Sequence, residues 1–454
     1  MKRKIEINLN NWKENRDRAL LIYGARQIGK SYSIENFIKA NFENYLIIDF
    51  SKTPEAIELF ESFKDRSDFY NRLAFYQVAS NCAIFFDEIQ ELYLYREKEL
   101  LKNPNKYFKT IDLLTLTKDL VQDNKYRYIF SGSLLGVTLN TIHLNPTGYI
   151  DILTMYPMDF EEYLWAKGIG EDLINYLLQK YKNSLHVEDA IHNKMLNLFY
   201  EYILVGGMPE AVKSYLKDGL FNNVSLVQNS ITHYYNSDIL KYAPNEDKLI
   251  ITEIYRMLSS EVNNINKRFT KNHLNLKNIK NLDLMDKYLW LTNSGIALPV
   301  YNVSSLEYPL KLNEERKVLK LFYGDVGMLS NELLGNEGRL QFLKNDGEIN
   351  YGAPFENAVA QELTAHGFKE LHYFNSKKTG EIDFIIEKGT NIIPIEIKSG
   401  KTNSQSKFDH KALDNELARS NHIAKALLFS KDNIFTDGII TNYPIYMIMF
   451  ITKE

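Results

Sequence analysis

Residues 19–31 read Ala-Leu-Leu-Ile-Tyr-Gly-Ala-Arg-Gln-Ile-Gly-Lys-Ser. An apolar run of strand length (Ala19–Tyr23) gives way to Gly24-Ala25-Arg26-Gln27-Ile28-Gly29-Lys30-Ser31, which fits G-x-x-x-x-G-K-[ST], and helical spacing follows from Tyr32 to residue 40. A strand, a glycine loop and a helix in that order form an anion cradle. The glycines let backbone N–H groups turn inward at a helix N-terminus. Lys30 can then reach the β- and γ-phosphates of a nucleotide, and the Ser31 hydroxyl can ligate Mg²⁺. Residues 24–32, Tyr32 included, are the expected nucleotide-binding segment, with ATP and Mg²⁺ as cofactors.

Outward from the loop, residues 45–50, 82–86 and 126–130 are further short apolar runs, with 149–155 as a fifth. Helical stretches separate them, so the spacing predicts βαβ units and a parallel sheet, an α/β fold class. Asp87 and Glu88 follow the third run. An aspartate at the carboxyl end of a parallel strand lies where ligands bind and can hold Mg²⁺, and the adjoining glutamate is placed to act as general base. The next run ends in Ser131-Gly132-Ser133. A hydroxyl there, Ser131 above all, can sense the γ-phosphate or orient the attacking water. Lys30, Glu88 and Ser131 are therefore the expected catalytic residues of an ATP-hydrolysing enzyme.

The chain has 454 residues, 44% hydrophobic and 25% charged, which excludes a disordered or fibrous chain and suits several domains. Lys+Arg 54 against Asp+Glu 58 gives a net charge of −4, so any basic surface is local. The single cysteine, Cys82, excludes an internal disulfide and reads as core. Nine scattered histidines offer no zinc spacing. No apolar run approaches the length of a membrane span, and the basic N-terminus lacks a signal-peptide core. The expectation is a cytoplasmic protein without a membrane partner.

From 159 to about 260 the pattern is helical. Residues 263–320 carry ten Lys/Arg against five Asp/Glu, among them Lys267, Arg268, Lys271, Lys277 and Lys280, which can neutralise DNA phosphates. Residues 345–353 read as a linker, followed by a helix at 354–366 and strands at 371–375, 381–387, 391–398 and 426–430. Here Glu381-Ile382-Asp383 precedes Glu396-Ile397-Lys398, with Glu356 on the helix before them. Residues i and i+2 of a strand share a face, so Glu396 and Lys398 point together. Asp383 and Glu396, with Glu356, can share a second Mg²⁺ or Mn²⁺, while Lys398 orients a nucleophile.

GARQIGKS, FFDEIQEL and FSGSLL, in that order and spacing, resemble the prokaryotic AAA-type P-loop ATPases with an uncharacterised C-terminal region. YPMDFEEYLWA (156–166), YILVGGMPEAV (202–212), YNSDILKY (235–242) and LKLFYGDVGMLS (319–330) are similar to segments of the same family. That resemblance implies an AAA+/ASCE-like ATPase domain (1–158), a helical lid (159–260) and a winged-helix-like domain (261–344). FENAVAQEL and IDFIIEKGTNIIPIEIKSGK resemble the PD-(D/E)xK nuclease fold, which implies a restriction-endonuclease-like α/β domain (345–454). Many relatives carry Gly-Arg or Gly-Lys where this chain has Gly148-Tyr149, so the arginine of the ATPase cycle stays unassigned. The expected function is an Mg·ATP-hydrolysing ATPase coupled to a DNA-binding or DNA-cleaving C-terminal half. A nucleotide-dependent switch with an inactive nuclease-like platform is the alternative, and a DNA translocase a third. ATP/ADP and DNA are the expected partners, with homo-oligomerisation left open.

Overall fold

The computed structural model describes all residues except 16, 134–147, 264–283, 345–351, 377–379, 400–409, 418, 419, 421 and 454. The chain forms two compact units, Lys2–Tyr156 with Asn293–Gly295, and Pro157–Thr292 with Ile296–Glu454.

The first unit is built on five parallel strands: β1 (Ala19–Tyr23), β2 (Tyr45–Asp49), β3 (Ala83–Asp87), β4 (Arg127–Gly132) and β5 (Ile150–Thr154). Their order is β2-β3-β4-β1-β5. Parallel strands require crossovers, and the sequence supplies helices between them, among them Lys30–Asn41 after β1 and Leu113–Gln122 before β4. Strand β3 is buried along its whole length, as an uninterrupted apolar run demands of a strand covered on both faces. Phe86 stacks between Phe50 and Phe130, with ring centroids 5.9 and 5.7 Å apart. This packing fixes the carboxyl ends of β3 and β4 side by side, where Asp87 and Ser131 emerge.

The second unit opens with six helices, from Phe160–Ala166 to Lys248–Asn263. Eight strands then form one sheet: β6 (Ala297–Val303), β7 (Glu314–Tyr323), β8 (Leu371–Ser376), β9 (Gly380–Lys388), β10 (Asn391–Ile397), β11 (Ala426–Ser430), β12 (Phe435–Asp437) and β13 (Ile440–Pro444). The order is β12-β13-β11-β10-β9-β8-β6-β7. This one sheet runs across the expected division at 344/345. Strands β6 and β7, expected in a winged-helix-like domain, join the strands that follow residue 370 through the parallel β6–β8 ladder. The helix Gly352–Ala365 packs its buried polar residues into the same unit. Asn357 accepts from the Tyr323 N–H at 2.8 Å and donates to the Tyr323 carbonyl at 3.1 Å, so one side chain completes the backbone pairing of edge strand β7. Glu362 accepts from the Phe160 N–H and from the Tyr202 hydroxyl, both at 2.8 Å.

Candidate functional site

The loop after β1 turns three times through positive φ, at Gly24 (152°), Gln27 (69°) and Gly29 (90°). At Gly24 a Cβ would collide with the Met155 carbonyl, so only glycine fits there. The left-handed Gly29 caps the helix that begins at Lys30, and a glycine turn at a helix N-terminus is a geometry that accepts anions. Below it, Ala25 and Ile28 are buried in the core. Arg3, also buried, donates to the Ile28 carbonyl at 2.8 Å and the Tyr156 carbonyl at 2.7 Å. This support for the loop comes from the first residues of the chain, where the sequence gives no local signal. Lys30 is buried, with Nζ donating to the carbonyls of Gly24 (3.1 Å) and Ala25 (2.8 Å). Tyr32 is 61% exposed and stands outside the loop's packing.

Asp87 and Ser131 meet as the strand order requires: Ser131 Oγ donates to Asp87 Oδ1. Burial pushes the Asp87 carboxyl up from its ordinary range. Hydrogen bonds from Ser131 and Ser31 oppose that, and the charges of Glu88 and Asp49 add to it. Ser31, Asp87 and Ser131 therefore converge, and the oxygens of Ser31 and Asp87 are a donor set of the hard kind that Mg²⁺ takes. Glu88 sits in the left-handed region at φ 53°. Its Oε2 accepts from Gln90 Nε2, from Ser133 Oγ at 2.8 Å and from the Ser133 N–H at 3.5 Å. Burial works to raise Glu88, but the charge of Lys30, the Gln90 amide, the Arg26 charge and the Ser133 hydroxyl outweigh it and hold the carboxyl below its ordinary value. Gln90 was not among the residues expected at the site. The only signal for it is its position two residues after Glu88.

At the Gly148-Tyr149 position, the Tyr149 hydroxyl accepts from Gln122 at 2.7 Å. Cys82 is core as expected, 2% exposed, with burial pushing its thiol up to about 11.

In the second unit, antiparallel β9 and β10 pair Phe384 with Ile395, which brings Asp383 and Glu396 to neighbouring cross-strand positions. Asp383 Oδ2 accepts from the Ile397 N–H at 2.9 Å. Glu396 is buried, with Oε1 paired to Lys398 Nζ at 2.5 Å and Oε2 buried without a hydrogen bond. Burial and then the Asp383 charge push the Glu396 carboxyl well up, against the pull of Lys398. A second cation comes from β7. Lys320 is 2% exposed, ion-paired to Glu381 at 2.5 Å and 4.5 Å from the centre of the Tyr373 ring. Burial lowers its pKa, but Glu381, Glu356 and Asp383 outweigh burial and raise it.

Glu356, Asp383 and Glu396 thus belong to one electrostatic cluster with Lys398. Among the described residues no group of three or more His, Cys, Asp or Glu side chains is placed to hold a metal ion. The cluster's charge is met by Lys398 and by Lys320 of β7. Lys267, Arg268, Lys271, Lys277 and Lys280 lie outside the described residues. No helix among the described residues is long and apolar enough to cross a membrane.

No curated protein matches the chain. A Walker-type ATPase of Pyrococcus abyssi is similar in structure at 15% identity, covering 73% of this chain and 95% of that one, with a TM-score of 0.42. Residues 196–339 and 351–448 match two families described as domains of unknown function. Residues 16–164 match the family described as AAA domain, and with the phosphate loop and the β2-β3-β4-β1-β5 sheet on that same segment, the first unit has an AAA-type P-loop ATPase fold.

Proposed function

We propose that the chain binds and hydrolyses Mg·ATP in its first unit and uses the nucleotide cycle to control a DNA-directed second unit. The observation that carries the ATPase reading is the convergence of Lys30, Asp87, Glu88 and Ser131 at the mouth of one loop. The N–H groups of residues 24–31 cradle the phosphates, and Lys30 leaves its two carbonyl partners for the β- and γ-phosphates. Ser31 and Asp87 would hold Mg²⁺, which when bound offsets charge on the β- and γ-phosphate oxygens. Glu88 takes a proton from the attacking water, and Ser131 keeps Asp87 in place. A purely binding module has no use for a base at that position. Steady-state ATP hydrolysis by the full chain tests the reading. Lys30→Ala should weaken ATP binding at least about tenfold, as loss of a charged contact to phosphate implies. Turnover that is untouched by this change would refute it.

For the second unit, the sequence supports a nuclease-like site centred on Asp383, Glu396 and Lys398. One observation favours the alternative of a non-cleaving platform: Lys320 and Lys398 already counter the carboxylates. Incubation with plasmid, linear and branched DNA and Mg²⁺ or Mn²⁺ separates the two. Cleavage lost in Asp383→Ala and in Lys398→Ala, with ATPase activity intact, supports a nuclease. DNA binding without cleavage supports the platform.

A further inference from the structure

Gln90 is fully buried, and its two amide atoms are treated unequally. Nε2 donates to Glu88 Oε2 and lies 3.4 Å from Ser133 Oγ. Oε1 is buried with no hydrogen-bond partner. An orphaned buried carbonyl oxygen typically costs about 1–3 kcal/mol. An apolar side chain of the same length would avoid that cost, so the amide is present for what its N–H does. Its N–H is spent on Glu88. Together, Gln90 Nε2, Ser133 Oγ and the Ser133 N–H occupy Glu88 Oε2, whereas Oε1 has no hydrogen bond among the described residues. The left-handed backbone at Glu88 is a second sign of constraint, since a side chain there is held against its conformational preference.

We propose that Gln90 and Ser133 are positioning residues that pin one oxygen of Glu88 so that the other, Oε1, is the one aimed at the attacking water. The inference rests on the ATPase reading. In the step it serves, a water proton passes to Glu88 Oε1 and the water oxygen bonds to the γ-phosphorus. The bond from that phosphorus to the bridging oxygen breaks, its electron pair leaves on ADP, and the proton is later released to solvent. Neither Gln90 nor Ser133 touches the reacting atoms. Their effect is on how often Oε1 is in line, which moves kcat and leaves ATP binding alone.

The test is steady-state ATP hydrolysis by the full chain carrying Gln90→Met, Ser133→Ala or Ser133→Thr, each also placed in a Glu88→Gln background, with thermal melting alongside. Gln90→Met should lower kcat roughly tenfold or more with KM for ATP within about twofold, the split expected of lost orientation. Its melting temperature should stay level or rise, because the orphaned oxygen is gone. A merely structural glutamine would instead lower the melting temperature. Ser133→Ala should lose several-fold in kcat, and Ser133→Thr, which keeps the hydroxyl, should restore it. In the Glu88→Gln background neither change should cost anything further. An unchanged kcat in Gln90→Met, or an equal loss with and without Glu88, overturns the proposal while leaving the ATPase reading standing. A wild-type chain that binds ATP and never turns it over removes both.

Discussion

Ser131 Oγ donates a hydrogen bond to the carboxylate of Asp87 across the β3–β4 pair. The bond exists because β4 is inserted between β1, which feeds the phosphate loop, and β3, which carries the acidic pair. It joins the strand that carries Asp87 to the strand that leads into Ser133, which donates to Glu88. Removing the hydroxyl leaves a buried carboxylate one donor short. Ser131→Ala should lower turnover about tenfold, the scale of a lost hydrogen bond to a charged group. KM for ATP should change little, and ATPase kinetics of the purified variant check this.

Lys320 is a buried cation whose value depends on its partners. Lys320→Met should destabilise the second unit by about 3–5 kcal/mol, because Glu381 and its neighbours lose their internal counter-charge. Adding Glu381→Gln should recover part of the loss. Thermal melting of the two single variants and the double variant measures the coupling, and simple additivity would show that the pair is not a unit.

Asp325 accepts from the Gly207 N–H at 2.6 Å and the Met328 N–H at 3.1 Å, tying the Gly206-Gly207 turn to the helix Val326–Lys344. Burial pushes its carboxyl up from 3.8 to about 6, against the pull of those N–H groups. The folded chain therefore holds this proton more tightly than the unfolded chain. The stability it contributes is present below about pH 4 and is lost as pH rises through 6. Between pH 4.5 and 7 the wild type should lose about 2 kcal/mol relative to Asp325→Asn, which has no proton to lose. Urea unfolding of both proteins at the two pH values gives the difference.

The contrast between the two units explains what a linear reading could reach. Residues 19–31 and 82–88 carry their structure in local order. An apolar run followed by Gly24–Ser31, and another followed by Asp87-Glu88, each encode a strand and its chemistry within a dozen positions. Ser131 was legible for the same reason. Lys320 was not, because nothing near it in sequence says that β6 will pair in parallel with β8, some 70 residues later. Long-range pairing of this kind is set by side-chain packing across the whole sheet, to which periodicity is blind. Arg3 and Gln90 carry no such local signal, because a buried polar residue is defined by partners that only the fold brings near. Asp383, Glu396 and Lys398 lie on two strands that adjoin in sequence, and the β9–β10 pairing sets Asp383 beside Glu396. The charge balance around them also includes Lys320, which comes from another strand pair and has no signal in the spacing.

Glu88→Gln bears most directly on the ATPase reading, because it removes the proposed base and keeps the shape of the site. The measurement is ATP affinity by titration beside Mg·ATP turnover, in wild type and variant under the same conditions. Affinity within a few-fold of wild type, with turnover reduced by roughly 10² or more, is the expected outcome for loss of a general base. Turnover equal to that of the wild type would remove Glu88 from the chemistry and contradict the hydrolysis mechanism proposed for this site.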